Sequence, residues 1–358
     1  MRAVRRPSGL LAVAAAAALL VAFAGSARGS SDSSGGPAGR IAVEGDGDVV
    51  VVDARTGRKR QVAVIVESAP AWSPDGRALA YAADGALQTL TVASGHERSI
   101  ARLSGDFTVG PSWSPGGGRV AYAVHGAYSD TARLTVVARN GSRRRVVDPK
   151  AESYQVPQWS PTGRRIAYLR NASDGTSAVW VVSPDGGRPL LLRRDVLDYP
   201  NSLSWSPSGA RIAFVGRPGE GKAGSALMVA TADGKQPRTI AAVPGDPDQA
   251  TVGNVRWSPT GGRIAFLRWG QDAATDDALC VVDTQGGPER QLVRAPIIRD
   301  ATWSPDGRWL AYLTENPATP SGLPFSIWVV RVDGSGVRLL ARLHEYSEAL
   351  VWGAPTRT

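Results

Sequence analysis

One cysteine and three histidines are all that this 358-residue sequence holds of the side chains that most often carry redox, metal or nucleophilic chemistry. Cys280 alone cannot form an internal disulfide. Its apolar neighbours in "ALCVVD" read it as a small buried group, not as a nucleophile or ligand. The fold must therefore hold together by packing. His96, His125 and His344 stand far apart, with none of the short spacings of zinc-ligand pairs, and read as surface residues in turns or loops. No G-x-S-x-G pentapeptide occurs, which removes the nucleophile elbow of the α/β-hydrolases. Long apolar runs are scarce as well. The stretch from Leu10 to Ala24 has fifteen residues, short for a membrane span of about 20.

That stretch follows Arg2, Arg5 and Arg6 and ends in the small-x-small pattern Ala22-Phe23-Ala24. A basic head, a short apolar middle and a small-residue end are the anatomy of a secretory signal peptide. The expected organisation is a signal peptide over 1–24, a Gly/Ser-rich tether over 25–39 and one domain over 40–358. The expected location is periplasmic, cell-envelope or extracellular; the alternative is an uncleaved N-terminal membrane anchor. The formal charge is +9, and losing the three leader arginines leaves +6. The densest basic cluster, Arg143-Arg144-Arg145, follows the turn-like Asn140-Gly141 and lacks the interleaved aromatics of a nucleic-acid surface. It reads as a solvated strand end, so nucleic acid is not an expected partner.

What the chain does have is repetition. "AWSPDGRALAY" at Ala71 returns as "SWSPGGGRVAY", "QWSPTGRRIAY", "SWSPSGARIAF", "RWSPTGGRIAF" and "TWSPDGRWLAY". The six tryptophans stand at 72, 113, 159, 205, 257 and 303, with spacings of 41, 46, 46, 52 and 46. Periods in the forties with several strands per unit indicate a propeller rather than a helical solenoid. In one full unit, "QWSP" closes a first strand at a turn and "RIAYLR" forms a second with Ile166 and Tyr168 on one face. "AVWVV" and "RPLLLRR" supply the third and fourth. Proline stands where a strand stops because it donates no ladder hydrogen bond. The Gly two residues later accepts backbone angles that other residues resist. Each repeat Trp, and the Tyr or Phe that follows it, is large enough to fill the gap between neighbouring twisted sheets.

The ends set the count. "GRIAV" at Gly39–Val43 is the second-strand motif without its Trp strand, and "SEALVWG" at the other end carries Trp352. Pairing the two completes another blade and removes the exposed edges of an open array. The expected fold is all-β, a seven-bladed propeller closed by its N- and C-terminal strands, with six blades and loosely docked ends as the alternative. Trp72, Trp113, Trp159, Trp205, Trp257, Trp303 and Trp352 are its structural tryptophans.

The WSPDGxxIAY unit resembles the TolB-type WD-like β-propeller repeat over about residues 40–353. The resemblance implies an exported propeller used for protein contact. The TolB protein itself joins a six-bladed propeller to a separate α/β domain, whereas here a 15-residue tether precedes the first strand and seven blades are counted. Propeller-bearing serine peptidases of the prolyl oligopeptidase kind have similar repeats but add a hydrolase domain for which this chain has no length.

Two chemistries remain to be placed. The acids Glu44, Asp46, Asp48 and Asp53 in "VEGDGDVVVVD" could ring a calcium ion, but the twelfth-position Glu of an EF-hand loop is missing, and a Gly/Asp hairpin turn explains them as well. "DAATDD", from Asp272 to Asp277, is equally open. No metal or cofactor is expected. The polar residues a few places before each Trp are Glu67, Thr108, Tyr154, Asn201, Asn254, Arg299, Asp300 and Glu348. They should ring the mouth of the central funnel, where concave geometry and convergent polar groups favour ligands. The leading expectation is a monomeric, non-enzymatic propeller that binds a protein or cell-envelope polymer through this face. A propeller lyase, lactonase or hydrolase with channel acids is the second. A carbohydrate-binding module is the third, with Trp269 the extra tryptophan expected to be exposed.

Overall fold

Short, two-sided apolar strands separated by Ser-Pro-x-Gly turns cannot bury both faces within one hairpin, so they stack against copies of themselves. The computed structural model describes residues 36–355 apart from 46, 64–65, 104–106, 126–131, 151–155, 172–176, 198–200, 218–223, 244–251, 271–275, 316–324, 344–346 and 348. The proposed signal peptide and most of the tether lie outside these residues. The described chain is all-β: 28 antiparallel strands in seven four-stranded blades. Blade 1 combines 40–63 with 349–353, and blades 2 to 7 follow as 71–102, 107–148, 158–196, 203–243, 252–295 and 297–343. Blades 4 and 5 touch edge to edge through the single pair Val196↔Gly216.

Period-two alternation explains the packing. In the strand Ile166–Asn171, Ile166 and Tyr168 enter a buried cluster shared with blade 3, whereas Ala167 and Leu169 enter one shared with blade 5. Both faces of the strand are core, so its polar-apolar alternation is weak. Seven such clusters fill the seven blade interfaces.

Each repeat Trp belongs to the cluster shared with the preceding blade, and its ring N–H shows why. Trp113 Nε1 donates to the Ala71 carbonyl at 3.0 Å, Trp159 to Ser112 at 3.2 Å, Trp205 to Gln158 at 3.1 Å and Trp303 to Arg256 at 2.9 Å. In every case the acceptor is the residue just before the previous blade's Trp. Trp257 and Trp352 depart from the pattern, the first turning its N–H onto Gly261 of its own hairpin and the second onto Ala38, each at 3.0 Å. The indole thus plugs the gap and also fixes blade-to-blade register.

The turn between first and second strands is built identically six times. In the first copy Ser73 Oγ accepts the Ala78 N–H at 2.9 Å, while Gly76, at φ 66°, donates its N–H to the Ser73 carbonyl at 2.8 Å. The corresponding serines 114, 160, 206, 258 and 304 accept the same bond at 2.9–3.4 Å. The serine hydroxyl does for the turn what a capping side chain does for a helix: it satisfies a backbone donor the ladder cannot reach.

Closure follows the expected pairing. Ala349–Gly353 is the inner strand of blade 1, in register from Arg40↔Gly353 to Glu44↔Ala349. Leu350 is fully buried among Ile41, Val43, Trp309 and Phe325. Across the next interface Trp72 Nε1 donates to the Val351 carbonyl at 3.1 Å. The seam is tight enough to need glycine, since a Cβ on Gly39 would stand 2.6 Å from the Gly353 carbonyl oxygen. In the adjoining hairpin, Asp53 accepts the N–H groups of Arg55 and Thr56 and the Thr56 hydroxyl, which makes this acid a turn residue.

Candidate functional site at the channel mouth

The innermost strands surround the propeller axis, and the residue three places before each repeat Trp forms a ring there: Ala69, Gly110, Val156, Ser202, Asn254, Asp300 and Ala349. Neighbours in this ring meet, for a Cβ on Gly110 would lie 3.0 Å from the Ala69 carbonyl and 3.3 Å from Val156 Cγ2. In blades 2 to 4 the ring is small or apolar. In blades 5 to 7 it is polar and buried, with Ser202 2%, Asn254 3% and Asp300 1% exposed.

Backbone irregularities aim these groups. The inner strands of blades 3, 6 and 7 break register at Val109/Ser112, Gly253/Arg256 and Ile298/Asp300. Such bulges bend a strand and redirect its side chains. Asn254 sits at φ 50° and Asn201 at φ 55°, a left-handed region that Asn tolerates better than most residues. The Asn201 carbonyl accepts the Val255 N–H at 2.8 Å and so ties blade 5 to blade 6.

Asp300 is the hub. Its Oδ1 accepts Asn254 Nδ2, the Ala301 N–H at 2.8 Å and Arg256 Nη2 at 3.4 Å, and its Oδ2 accepts the Leu350 N–H at 2.7 Å. One carboxylate therefore links blades 6, 7 and 1. Beside it Asn254 Oδ1 and Arg256 Nε, and on blade 5 Ser202 Oγ, are buried without a hydrogen-bond partner among the described residues. Buried polar atoms left open in this way call for a partner. Chemically the half-ring offers one acceptor, one hydroxyl, one cationic donor and a satisfied carboxylate. Among these three open atoms none is hydrogen-bonded to another as a nucleophile and base would be. Among the described residues no three His, Cys, Asp or Glu side chains gather as a metal site. Nearby, Asp277 accepts the N–H groups of Gly270 and Ile298 at 2.9 and 2.8 Å, and burial raises its pKa above 3.8 despite those bonds.

Of the residues expected at the funnel, the structure brings Asn254 and Asp300 into contact. Arg299 is exposed and paired with Glu315, its Nε at 2.7 Å from Oε2, so its charge is met on its own hairpin. Glu67 is exposed, with the Gly85 N–H 3.4 Å from its carboxylate. Thr108 lies in register with Val124 on an inner strand, and Tyr154 and Glu348 lie outside the described residues. Ser202 and Arg256 were not anticipated. Arg256 had a signal: the residues preceding the other repeat tryptophans are Ala71, Ser112, Gln158, Ser204, Thr302 and Val351, and it alone is charged.

Two expectations about isolated residues are overturned. His125 ends a strand and is buried, because Phe107 and Ala132 pair on either side of it. Trp269 is half-buried, and its ring covers Gly253 so closely that a Cβ there would stand 2.1 Å from Cη2. Trp180 and Trp328 are also committed, the first beneath Arg170 at 4.3 Å and the second stacked on Tyr312 at 6.5 Å.

Residues 42–254 match the family model described as the TolB beta propeller domain. No curated protein sequence matches the chain. Among solved structures, TolB from Acinetobacter baumannii is 14% identical with a TM-score of 0.55, covering 88% of this chain and 67% of that one. Oligogalacturonate lyase from Vibrio parahaemolyticus is 14% identical with a TM-score of 0.61, covering 85% and 86%. The periplasmic gluconolactonase of Pseudomonas aeruginosa is 17% identical with a TM-score of 0.56, covering 88% and 99%. At these identities the likeness is one of fold.

Proposed function

Since the chain belongs to the TolB beta propeller domain family, we propose that it is an exported, non-enzymatic binding protein whose funnel face takes a protein or cell-envelope component. The Arg-headed apolar leader over 1–24 supplies the export signal, the 25–39 segment a tether and 40–358 the working domain. No helix among the described residues is long and apolar enough to cross a membrane.

The observation that carries this reading is the set of open buried polar atoms on the inner strands: Asn254 Oδ1 and Arg256 Nε beside Asp300, and Ser202 Oγ on blade 5. A partner inserting a polar group there would satisfy atoms whose isolation otherwise costs about 1–3 kcal/mol each. Glu67, Thr108, Tyr154, Asn201, Arg299 and Glu348 would then form the outer rim, where polar groups set specificity more than affinity.

The test compares wild type with Arg299→Glu and Glu67→Arg, which recharge the exposed rim without entering the core. Each is immobilised and challenged with detergent-solubilised envelope proteins, and retained species are identified by mass spectrometry. A species held by wild type and lost by both variants supports funnel binding. An identical retained set with all three proteins refutes it.

A further inference from the structure

The arginines that the sequence scatters over blades 2 and 3 converge on one groove. Its volume is about 1480 Å3, and Arg98, Arg119, Arg139, Arg143, Arg144 and Arg145 all line it. They come from the outer strand of blade 2 and three separate strands or turns of blade 3. Against these six charges the lining carries one acid, Asp185 of blade 4, which pairs with Arg119 at 2.7 Å. Asp75 approaches Arg139 from outside at 3.9 Å. Arg143 and Arg144 are exposed and have no carboxylate partner among the described residues. An excess of like charge held this close is unfavourable unless something anionic answers it.

The turn that presents the triplet adds a second observation. Asn140 Oδ1 accepts both the N–H of Ser142, at 3.0 Å, and its hydroxyl, at 2.6 Å, and Gly141 sits at φ 85°. Arg143 then follows at φ 55°, a left-handed conformation that costs energy through its Cβ and that Gly would adopt freely. Local strain of this kind is concentrated at binding surfaces. Arg98 Nη2 holds the same turn through the Asn140 carbonyl at 2.9 Å, and Arg145 Nη1 reaches the Asp185 carbonyl at 2.5 Å. The groove is thus braced from both neighbouring blades.

We propose that this groove binds an acidic polysaccharide, with the guanidinium forks of Arg143 and Arg144 taking its charged groups. The fork geometry matches planar carboxylates. Thr91 of blade 2 also lines the groove, and its hydroxyl suits a chain that alternates charged and hydroxyl groups. The lining has no Phe, Tyr or Trp on which a nucleic-acid base could stack, and its one aromatic ring is the imidazole of His96. The nearby indoles of Trp113 and Trp159 are already covered by Arg139 and Arg119, at 5.2 and 5.4 Å. The site lies apart from the half-ring around Asp300 and does not depend on it.

The test titrates the full chain with alginate oligomers, neutral dextran and a duplex DNA of similar length, by calorimetry at two salt concentrations. Alginate binds, weakens as salt rises, and loses about tenfold in affinity in the Arg143→Ser/Arg144→Ser double variant, as expected for losing two charge-assisted contacts. Arg290→Ser/Arg294→Ser removes equal charge from the outer strand of blade 6 and leaves binding unchanged. The Arg290→Ser/Arg294→Ser variant melts at the wild-type midpoint, since both side chains are exposed, and melts of the Arg143→Ser/Arg144→Ser variant confirm a folded protein although Arg144 faces the buried Tyr122 hydroxyl. Absence of alginate binding, equal binding of dextran, DNA binding as tight as alginate, or equal losses in both double variants would each overturn the proposal.

Discussion

Removing residues 349–358 takes away the inner strand of blade 1 and leaves the rest of the chain untouched. The structure sets the size of the effect. Leu350 is fully buried in the interface between blades 7 and 1, and truncating such a leucine costs about 2–5 kcal/mol. The deletion also strips Asp300 of the Leu350 N–H and leaves the Trp72 indole N–H without the Val351 carbonyl. A buried group that loses its partner costs about 1–3 kcal/mol, and two are lost here. Five cross-strand pairs with 40–44 vanish as well. The buried-leucine term and the two orphaned-group terms alone reach about 4–11 kcal/mol, against a total stability of about 5–15 kcal/mol for a folded domain. The truncated chain should therefore aggregate through the bared edge of Arg40–Gly45. Leu350→Ala, a graded version, should fold as a monomer with its urea midpoint lowered. Size-exclusion chromatography with light scattering and urea melts read both outcomes. A truncated chain that is monomeric and melts with wild type would show that the ring does not depend on its seam.

Trp159→Ala should cost about 3–5 kcal/mol, while Trp159→Phe, which keeps much of the packing but loses the bond to Ser112, should cost nearer the hydrogen-bond term of about 1 kcal/mol; equal urea midpoints for the two would refute a separate bonding role. Asp277 has a folded pKa raised above 3.8 by burial, so its contribution is fully present below the unfolded value and declines as pH rises through the folded one. Relative to Asp277→Asn, wild type should lose stability as pH climbs above 3.8 and through the raised folded pKa, and a pH-independent difference between the two denaturation curves would contradict this. Cys280 is fully buried and its thiol is pushed up to about 12, chiefly by burial. A thiol reagent at neutral pH should label it only in denaturant, and prompt labelling of native protein would show that blade 6 opens.

Much of the fold could be read from the repeats because the same physical need recurs in every copy. The Trp marks an interface that must be plugged, and the Gly after Pro marks a left-handed turn position. The unpaired "GRIAV" and "LVWG" ends mark the seam. The serine before each proline was equally visible but carries a turn bond that strand patterns do not display. The site was harder to read, because ring position depends on bulges at Gly253/Arg256 and Ile298/Asp300 that shift which side chain faces the axis. Hence Asn254 and Asp300 meet, Arg299 turns outward to Glu315, and Arg256 enters from a position that a regular strand would not have assigned. Likewise no local pattern brings Arg98 beside Arg143. Only the stacking of blade 2 on blade 3 does so.

Gly39 and Gly353 lie against each other at the seam, and the Trp72 bond to Val351 repeats the bond made at most other interfaces. Topologically, then, the chain's beginning is interchangeable with several other points on the circle. A gene rearranged to join the present ends through a short linker and to open between blades 5 and 6 would write the same cyclic order of strands from a different starting letter. Whole blades could in the same way be exchanged with those of a relative, provided that each incoming indole finds the carbonyl before the previous one. The unit of inheritance in such a ring is the indole and its acceptor, which belong to two different blades.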